Sequence, residues 1–384
     1  MSIRTIMPIL LGLTSVSCRG LDFGDTFGAL EGDPADEPVE KRPSLVAQTL
    51  LQKNLVSDQP GVGDNRDPHL INAWGLAFGP EGPAWVADNG SGFASVYDAR
   101  ARLLATVTIP SRNGAAAKST PTGQVYNGDA AAFAGDRFIF VTEEGTVVGW
   151  QPGFDGLARQ RVDNSPGGAV YKGVSIAHDH GATRLYAADF HNGRIDVLDA
   201  NYQPIAPCEG AFTDKDLPAN YAPFNVFAFD DLLLVAYAKQ QLPERVEDDA
   251  GKGRGFIELF DASGHLLERL ISRGVLDSPW GMAVAPEGFG RISKRLLVGN
   301  FGDGRINVFG LALAGLKLTA SFEGFIGDTH GDPLAIDGLW ALGFPPSSAD
   351  FDGKDLYFTA GPNEEESGLF GRLVLPPATE QASY

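Results

Sequence analysis

Trp74-Gly75-Leu76-Ala77-Phe78 returns farther along the chain as Trp280-Gly281-Met282-Ala283-Val284 and again as Trp340-Ala341-Leu342-Gly343-Phe344. Looser copies are Asp129-Ala130-Ala131-Ala132-Phe133, Lys172-Gly173-Val174-Ser175-Ile176 and Phe224-Asn225-Val226-Phe227-Ala228. Six copies spaced by 43 to 60 residues mark a repeat architecture. Each phrase is small and apolar on both sides of the pleat. That suits an innermost strand squeezed between two neighbours.

A second hydrophobic strand, a polar glycine turn and a third strand follow each phrase. The first unit runs Trp85-Val86-Ala87, Asp88-Asn89-Gly90-Ser91-Gly92, Ala94-Ser95-Val96-Tyr97. Units three and five repeat the pattern around Asp189 to Gly193 and Asn300 to Gly304. Asn-Gly and Asp-Gly supply the positive φ that tight hairpins require. Six units of about four antiparallel strands predict an all-β, six-bladed β-propeller, a ring that leaves no long exposed edge. The stretch Val46 to Val56 falls outside the six units and is predicted to supply the outer strand of the last blade.

Outside the ring, residues 1–18 (MSIRTIMPILLGLTSVSC) combine Arg4, an apolar run from Ile6 to Leu13 and small residues before Cys18. The run is too short to span a bilayer and reads as a signal peptide. Cys18 after Ser15-Val16-Ser17 resembles a lipidation site, although Ser15 stands where such sites carry Leu. Residues 19–45 read as a flexible acidic linker, 46–376 as the propeller and 377–384 as a disordered tail.

Composition narrows the function classes. Thirty Lys+Arg against 49 Asp+Glu leave a net charge of −19. That excludes nucleic acid as a partner and an anionic membrane face, both of which need clustered cations; the membrane would be reached only through the N-terminal lipid. Two cysteines exclude a disulfide-stapled scaffold and a four-cysteine zinc site. Cys208 reads as a lone thiol without a cation partner. A monomer is expected.

Asn72-Ala73-Trp74-Gly75-Leu76-Ala77, Trp85-Val86-Ala87-Asp88-Asn89-Gly90, Asn54-Leu55-Val56-Ser57-Asp58 and Ile336-Asp337-Gly338-Leu339-Trp340-Ala341-Leu342 resemble a family of uncharacterised bacterial proteins. These are secreted six-bladed propellers, similar to NHL-repeat proteins, some with an exosortase sorting tail. The resemblance implies fold and compartment and no established activity. This chain ends without such a tail.

Propeller topology places the loops entering each inner strand on one face with the turns between strands two and three. On that mouth the sequence puts Tyr126 to Asp129, His69, Asp88, Asn89, Asp189, Asn300 and His330. Asn72, Asp129, Asn225 and Asp337 are the candidates for a Ca²⁺ site, because hard oxygen ligands opening inner strands would point toward the axis. Six-bladed lactonases resemble this arrangement, with a channel ion polarising a carbonyl. The same residue types also serve turns and local caps. His178-Asp179-His180 offers two imidazoles on the opposite face, too few for a metal site. The tryptophans read as packing between blades, and Glu244 to Lys252 as a solvated acidic loop. No GxSxG, HExxH or phosphate loop stands in a fitting context. The expected function is an extracytoplasmic binding or scaffold module for a protein, peptide or glycan. The alternative is a metal-dependent, lactonase-like hydrolase. A quinone-dependent sugar dehydrogenase would share the architecture, with Arg66 and His69 at hand.

Overall fold

Each repeat folds as a twisted antiparallel sheet, and six such sheets stand around one axis in the computed structural model. The structure describes residues 45–377, apart from 81, 207, 315, 316 and 349. The signal peptide, Cys18 and nearly all of the linker and tail therefore lie outside the described residues. The inner strands are Ala73–Phe78, Pro121–Tyr126, Tyr171–Asp179, Tyr221–Phe229, Pro279–Val284 and Leu339–Gly343.

Five of these six inner strands fall on the repeated phrase. In the second blade the inner strand is Pro121–Tyr126, not Asp129 to Phe133. The run Ala130-Ala131-Ala132-Phe133 imitates the phrase in composition. Phe133 and Ala134 both have φ of 55°, which no strand tolerates, and they form a short 3₁₀ turn. Phe133 is buried against Tyr202 of the third blade. The segment from Tyr126 to Asp129 consequently sits on the face opposite the predicted one.

The N-terminal ribbon closes the ring and does so twice. Leu51–Ser57 pairs antiparallel with Leu369–Val374 and completes the sixth blade. Val46–Thr49, expected to be part of the same strand, instead runs parallel to the outer strand of the fifth blade, Lys317–Gly327. The break is at Leu50, whose amide donates to the Gly327 carbonyl while its side chain is buried in the seam between the two blades. One extended segment thus clasps two sheets.

An apolar cluster fills the gap between each pair of neighbouring blades, and a further one lies on the axis. At the axis the blades touch through backbone. In all six blades the ladder between the first and second strands slips near the top of the inner strand. Slips of this kind free backbone groups that need other partners. Neighbouring blades supply them. Gln124 Nε2 donates to the Gly75 carbonyl at 2.8 Å, Thr122 Oγ1 to Tyr171 at 2.8 Å and Asn225 Nδ2 to Trp280 at 2.8 Å. Thr359 Oγ1 closes the circle on the Trp74 carbonyl.

The glycines of the phrase permit this approach. A Cβ on Gly123 would come within 2.8 Å of the Gly173 Cα, and one on Gly75 would overlap the Thr122 carbonyl. Because the obstruction is backbone on both sides, it cannot swing away. Gly123→Ala is expected to destabilise the fold by about 1–3 kcal/mol, the usual cost of overpacking. Urea unfolding measures this, and an unchanged midpoint would refute the close-approach argument.

Candidate functional site

The second residue of each inner strand faces the axis just below the mouth. In three blades it is tryptophan. Trp340 is stacked on Trp74 at 3.6 Å between ring centroids, and Phe301 is stacked on Trp340 at 3.9 Å. Trp280 meets Trp74 and Trp340 edge-on, and Phe224 joins from the fourth blade. The three indoles are buried and pack between neighbouring blades, as the sequence suggests, and Trp74 and Trp280 also meet across the axis. Their stacking follows from the ring itself: equivalent positions on six inward-tilted strands converge.

In the third blade the same slot holds Lys172, which is 1% exposed. Its ammonium lies 5.0 Å from the Trp74 ring centre, a favourable placement over an aromatic face. Glu143 of the second blade pairs with it at 2.5 Å and Glu247 of the fourth at 3.3 Å. Burial alone would lower the lysine pKa, but the two carboxylates outweigh it and hold the group above its ordinary value. Lys172 is therefore held as a positive charge between the two carboxylates.

The network continues around the mouth. Asn89 Nδ2 donates to Glu143 at 3.0 Å, Asn72 Nδ2 to Glu365 at 2.5 Å, and Trp340 Nε1 to Asn72 Oδ1 at 3.0 Å. Burial pushes the Glu365 carboxyl up to about 7; Asn72 and Lys172 oppose the shift, and the nearby Glu247 and Glu143 reinforce it. Burial likewise raises Asp248, which lies within reach of Lys172 and Ser278.

The loop carrying Glu247 and Asp248 is largely solvated, as the sequence suggests, with Glu244, Arg245, Glu247 and Lys252 exposed, and it is tied down at its two ends. Gln240 Nε2 donates to the Phe190 carbonyl at 2.5 Å, and the Gly251 amide to Asp277 at 2.6 Å. The loop thus stays in solvent while Glu247 reaches in to Lys172.

The four residues proposed for calcium do not gather. Asn72 is at the mouth, buried, with a positive φ and both amide atoms bonded. Asn225 is spent on the Trp280 carbonyl and the Val226 amide. Asp337 is exposed and accepts from the Asn363 amide. Asp129 lies on the opposite face, capping Ala131. Among the described residues, no group of three or more His, Cys, Asp or Glu is placed to hold a metal ion.

Most of the other mouth residues serve their own turns. Asp88 is buried, accepts from Ser95 Oγ at 2.6 Å and is raised well above the ordinary carboxylate range by burial. Asp189 accepts from the Val170 amide and from Asn192. Asn300 donates to Val275 and Asp303. His69 stands 3.2 Å from Asp67 and edge-on to Phe93, and His330 is exposed beside Asp328. Asn89 differs in joining the Lys172 network, through Glu143. On the opposite face His178 pairs with Asp231 and His180 with Asp179. Cys208, read as a lone thiol, is disulfide-bonded.

Sequence reasoning missed Lys172, Glu143, Glu247 and Glu365 as a group. A signal was present. Tyr171-Lys172-Gly173 repeats the form of Ala73-Trp74-Gly75 and Pro279-Trp280-Gly281, so an ammonium occupies an aromatic slot and must find counter-charges inside.

No protein-family model matches the chain. The uncharacterized protein R648 of Acanthamoeba polyphaga mimivirus is 32% identical over 382 residues, covering 95% of this chain and 90% of that protein. The uncharacterized protein L690 of the same virus is 33% identical over 349 residues, covering 86% and 87%. These relatives are viral, whereas the sequence resemblance points to bacterial proteins. Among solved structures, virginiamycin B lyase from Staphylococcus aureus aligns over 85% of this chain and 99% of its own, at 12% identity and a TM-score of 0.47.

Two outcomes are expected from the lysine cluster. Lys172→Met strands Glu143 in the interior and costs about 3–5 kcal/mol, as broken buried pairs do; adding Glu143→Gln restores part of the loss in the same unfolding assay. Glu365 titrates near 7 in the fold against 4.5 ordinarily. Between those values the folded state binds more protons, so this group's contribution to stability declines as pH rises through the window. Glu365→Gln should flatten the stability profile from pH 4.5 to 7 and leave it unchanged below.

Proposed function

We propose that this chain, which belongs to the family of the mimivirus proteins R648 and L690, is a binding module and not a hydrolase. The observation that carries the reading is the filled axis at the mouth. Three stacked rings and a charge-balanced lysine occupy the place where a channel ion and its substrate would meet. The amides that would have to ligate the ion, on Asn72 and Asn225, are already bonded within the ring. What remains for recognition is the outer surface of the loop face. Glu244, Asp337, Glu364 and Glu366 are exposed there, which favours a protein or peptide partner with basic groups.

The extracytoplasmic address belongs to the same proposal. Its support is the signal-like run of residues 1–18.

The test separates binding from hydrolysis. Titration of the full chain with CaCl₂ in a calorimeter is expected to give no saturable heat. A panel of simple lactones and p-nitrophenyl esters is expected to show no turnover above buffer, with or without the ion. Saturable calcium binding coupled to ion-dependent turnover would sink the reading.

A further inference from the structure

The third blade is short of an outer strand. In the other five blades the outer strand pairs with the third strand up to its mouth end: Phe93 lies opposite Thr108, Thr146 opposite Asp163, Phe256 opposite Ser272, Asn307 opposite Phe325 and Leu369 opposite Ser57. In the third blade the outer strand is Pro204–Ile205 alone, paired to Val197 and Leu198 of the strand Arg194–Asp199. The Asp199 amide donates to the Gln203 carbonyl at 2.8 Å and closes the turn between them. Alternate residues of a strand present their N–H and C=O groups to the same edge, so Asp199, Val197 and Ile195 share this one. Asp199 and Val197 are paired there; Ile195 has no ladder partner on that edge among the described residues. Carrying the register two residues on would call on Pro207, which has no N–H to give.

A groove of about 450 Å³ lies where the missing strand would run. It is lined by the strand edge from Arg194 to Leu198 and by two unlike flanks. On one side stand Ala211 and Phe212, which belong to the apolar cluster between the third and fourth blades. On the other stand Asp163 and Asn164 at the rim of the second blade. Asp163 is exposed and accepts from the Ser165 amide, while Asp196 is already bonded by Tyr171 and Arg194. Side chains of a strand laid in the groove would alternate between the flanks, one set against Ala211 and Phe212 and the other toward Asp163. With a net charge of −19 on the chain, the second set is best matched by basic residues. The same charge disfavours the chain's own acid-rich residues 19–44 as the occupant.

We propose that a partner completes the third blade: an extended peptide of alternating apolar and basic residues adds to its edge as the missing outer strand and exchanges backbone hydrogen bonds with Ile195. The proposal rests on the binding-module reading and gives it a partner and a place. It can fail alone, because the calcium and ester assays that test that reading do not involve this edge.

Hydrogen exchange of the full chain, read by peptide mass spectrometry, tests it with Ac-Lys-Val-Lys-Val-Lys-Val-NH₂ as the probe. Residues 193–198 are expected to exchange more slowly as probe is added, and the effect should saturate. A twin peptide N-methylated at every residue keeps each charge and side chain but cannot join a ladder. It should compete at least about tenfold more weakly, a difference of about 1.4 kcal/mol. Equal competition by the methylated twin, protection placed mainly on other segments, or no saturable protection would each overturn the proposal. So would protection of 193–198 on concentrating the chain alone, which would give the edge to a second copy.

Discussion

The whole molecule depends on how closely six backbones can approach one axis. A sheet has two edges, and a ring of sheets places six of them around a common centre. With side chains of ordinary size the inner strands would be held apart and the axis left as a wide hole. Here glycines at positions 75, 123, 173 and 281 remove the obstruction, and each inner ladder slips at the same height. The slip releases carbonyls, and the side chains of Gln124, Thr122, Asn225 and Thr359 take them up across blade boundaries. Packing and hydrogen bonding are solved by one device. A sheet out of place would strand polar groups in its neighbours as well as its own, so the ring should behave cooperatively.

That closeness also divides the axis. Where the strands converge most, side chains at equivalent positions meet, and three indoles and a lysine fill the space. Below, the strands diverge and leave a cavity. The upper compartment is polar and ionically satisfied; the lower is lined without charged side chains. The fold thus presents two separate environments along one line, with Trp280 bordering both. The charges above are arranged for order. Lys172 draws Glu143 and Glu247 from separate blades to one point, so the cluster ties together loops that share no ladder. Whether such pairs add net stability is secondary to that positional role, since desolvation offsets much of their attraction.

Much of this was legible in the residues. The recurrence of a tryptophan- or lysine-glycine phrase revealed the number of blades and the identity of most inner strands, because strands flanked on both faces must be small and apolar. The Asp-Asn-Gly and Asn-Phe-Gly-Asp-Gly turns located the hairpins, because positive φ restricts the choice of residue. The ribbon near Leu51 was identifiable as the closing strand, because a unit short of one strand needs it. The phrase misled at Asp129 to Phe133, where composition matched but backbone conformation did not.

The sequence by itself determined sixfold repetition, the all-β class and the closing ribbon, because these follow from local patterns of size, polarity and turn chemistry. Only the tertiary structure decided that Asn72 and Asn225 are spent within the ring, that Glu143 and Glu247 pair with Lys172 while Glu365 bonds Asn72, and that a cavity lies below the aromatic plug. Those facts depend on which distant residues meet at the axis. A one-dimensional pattern fixes the direction of each side chain from its strand, but the partners it finds across a gap are set by the angle and depth of six sheets packed at once.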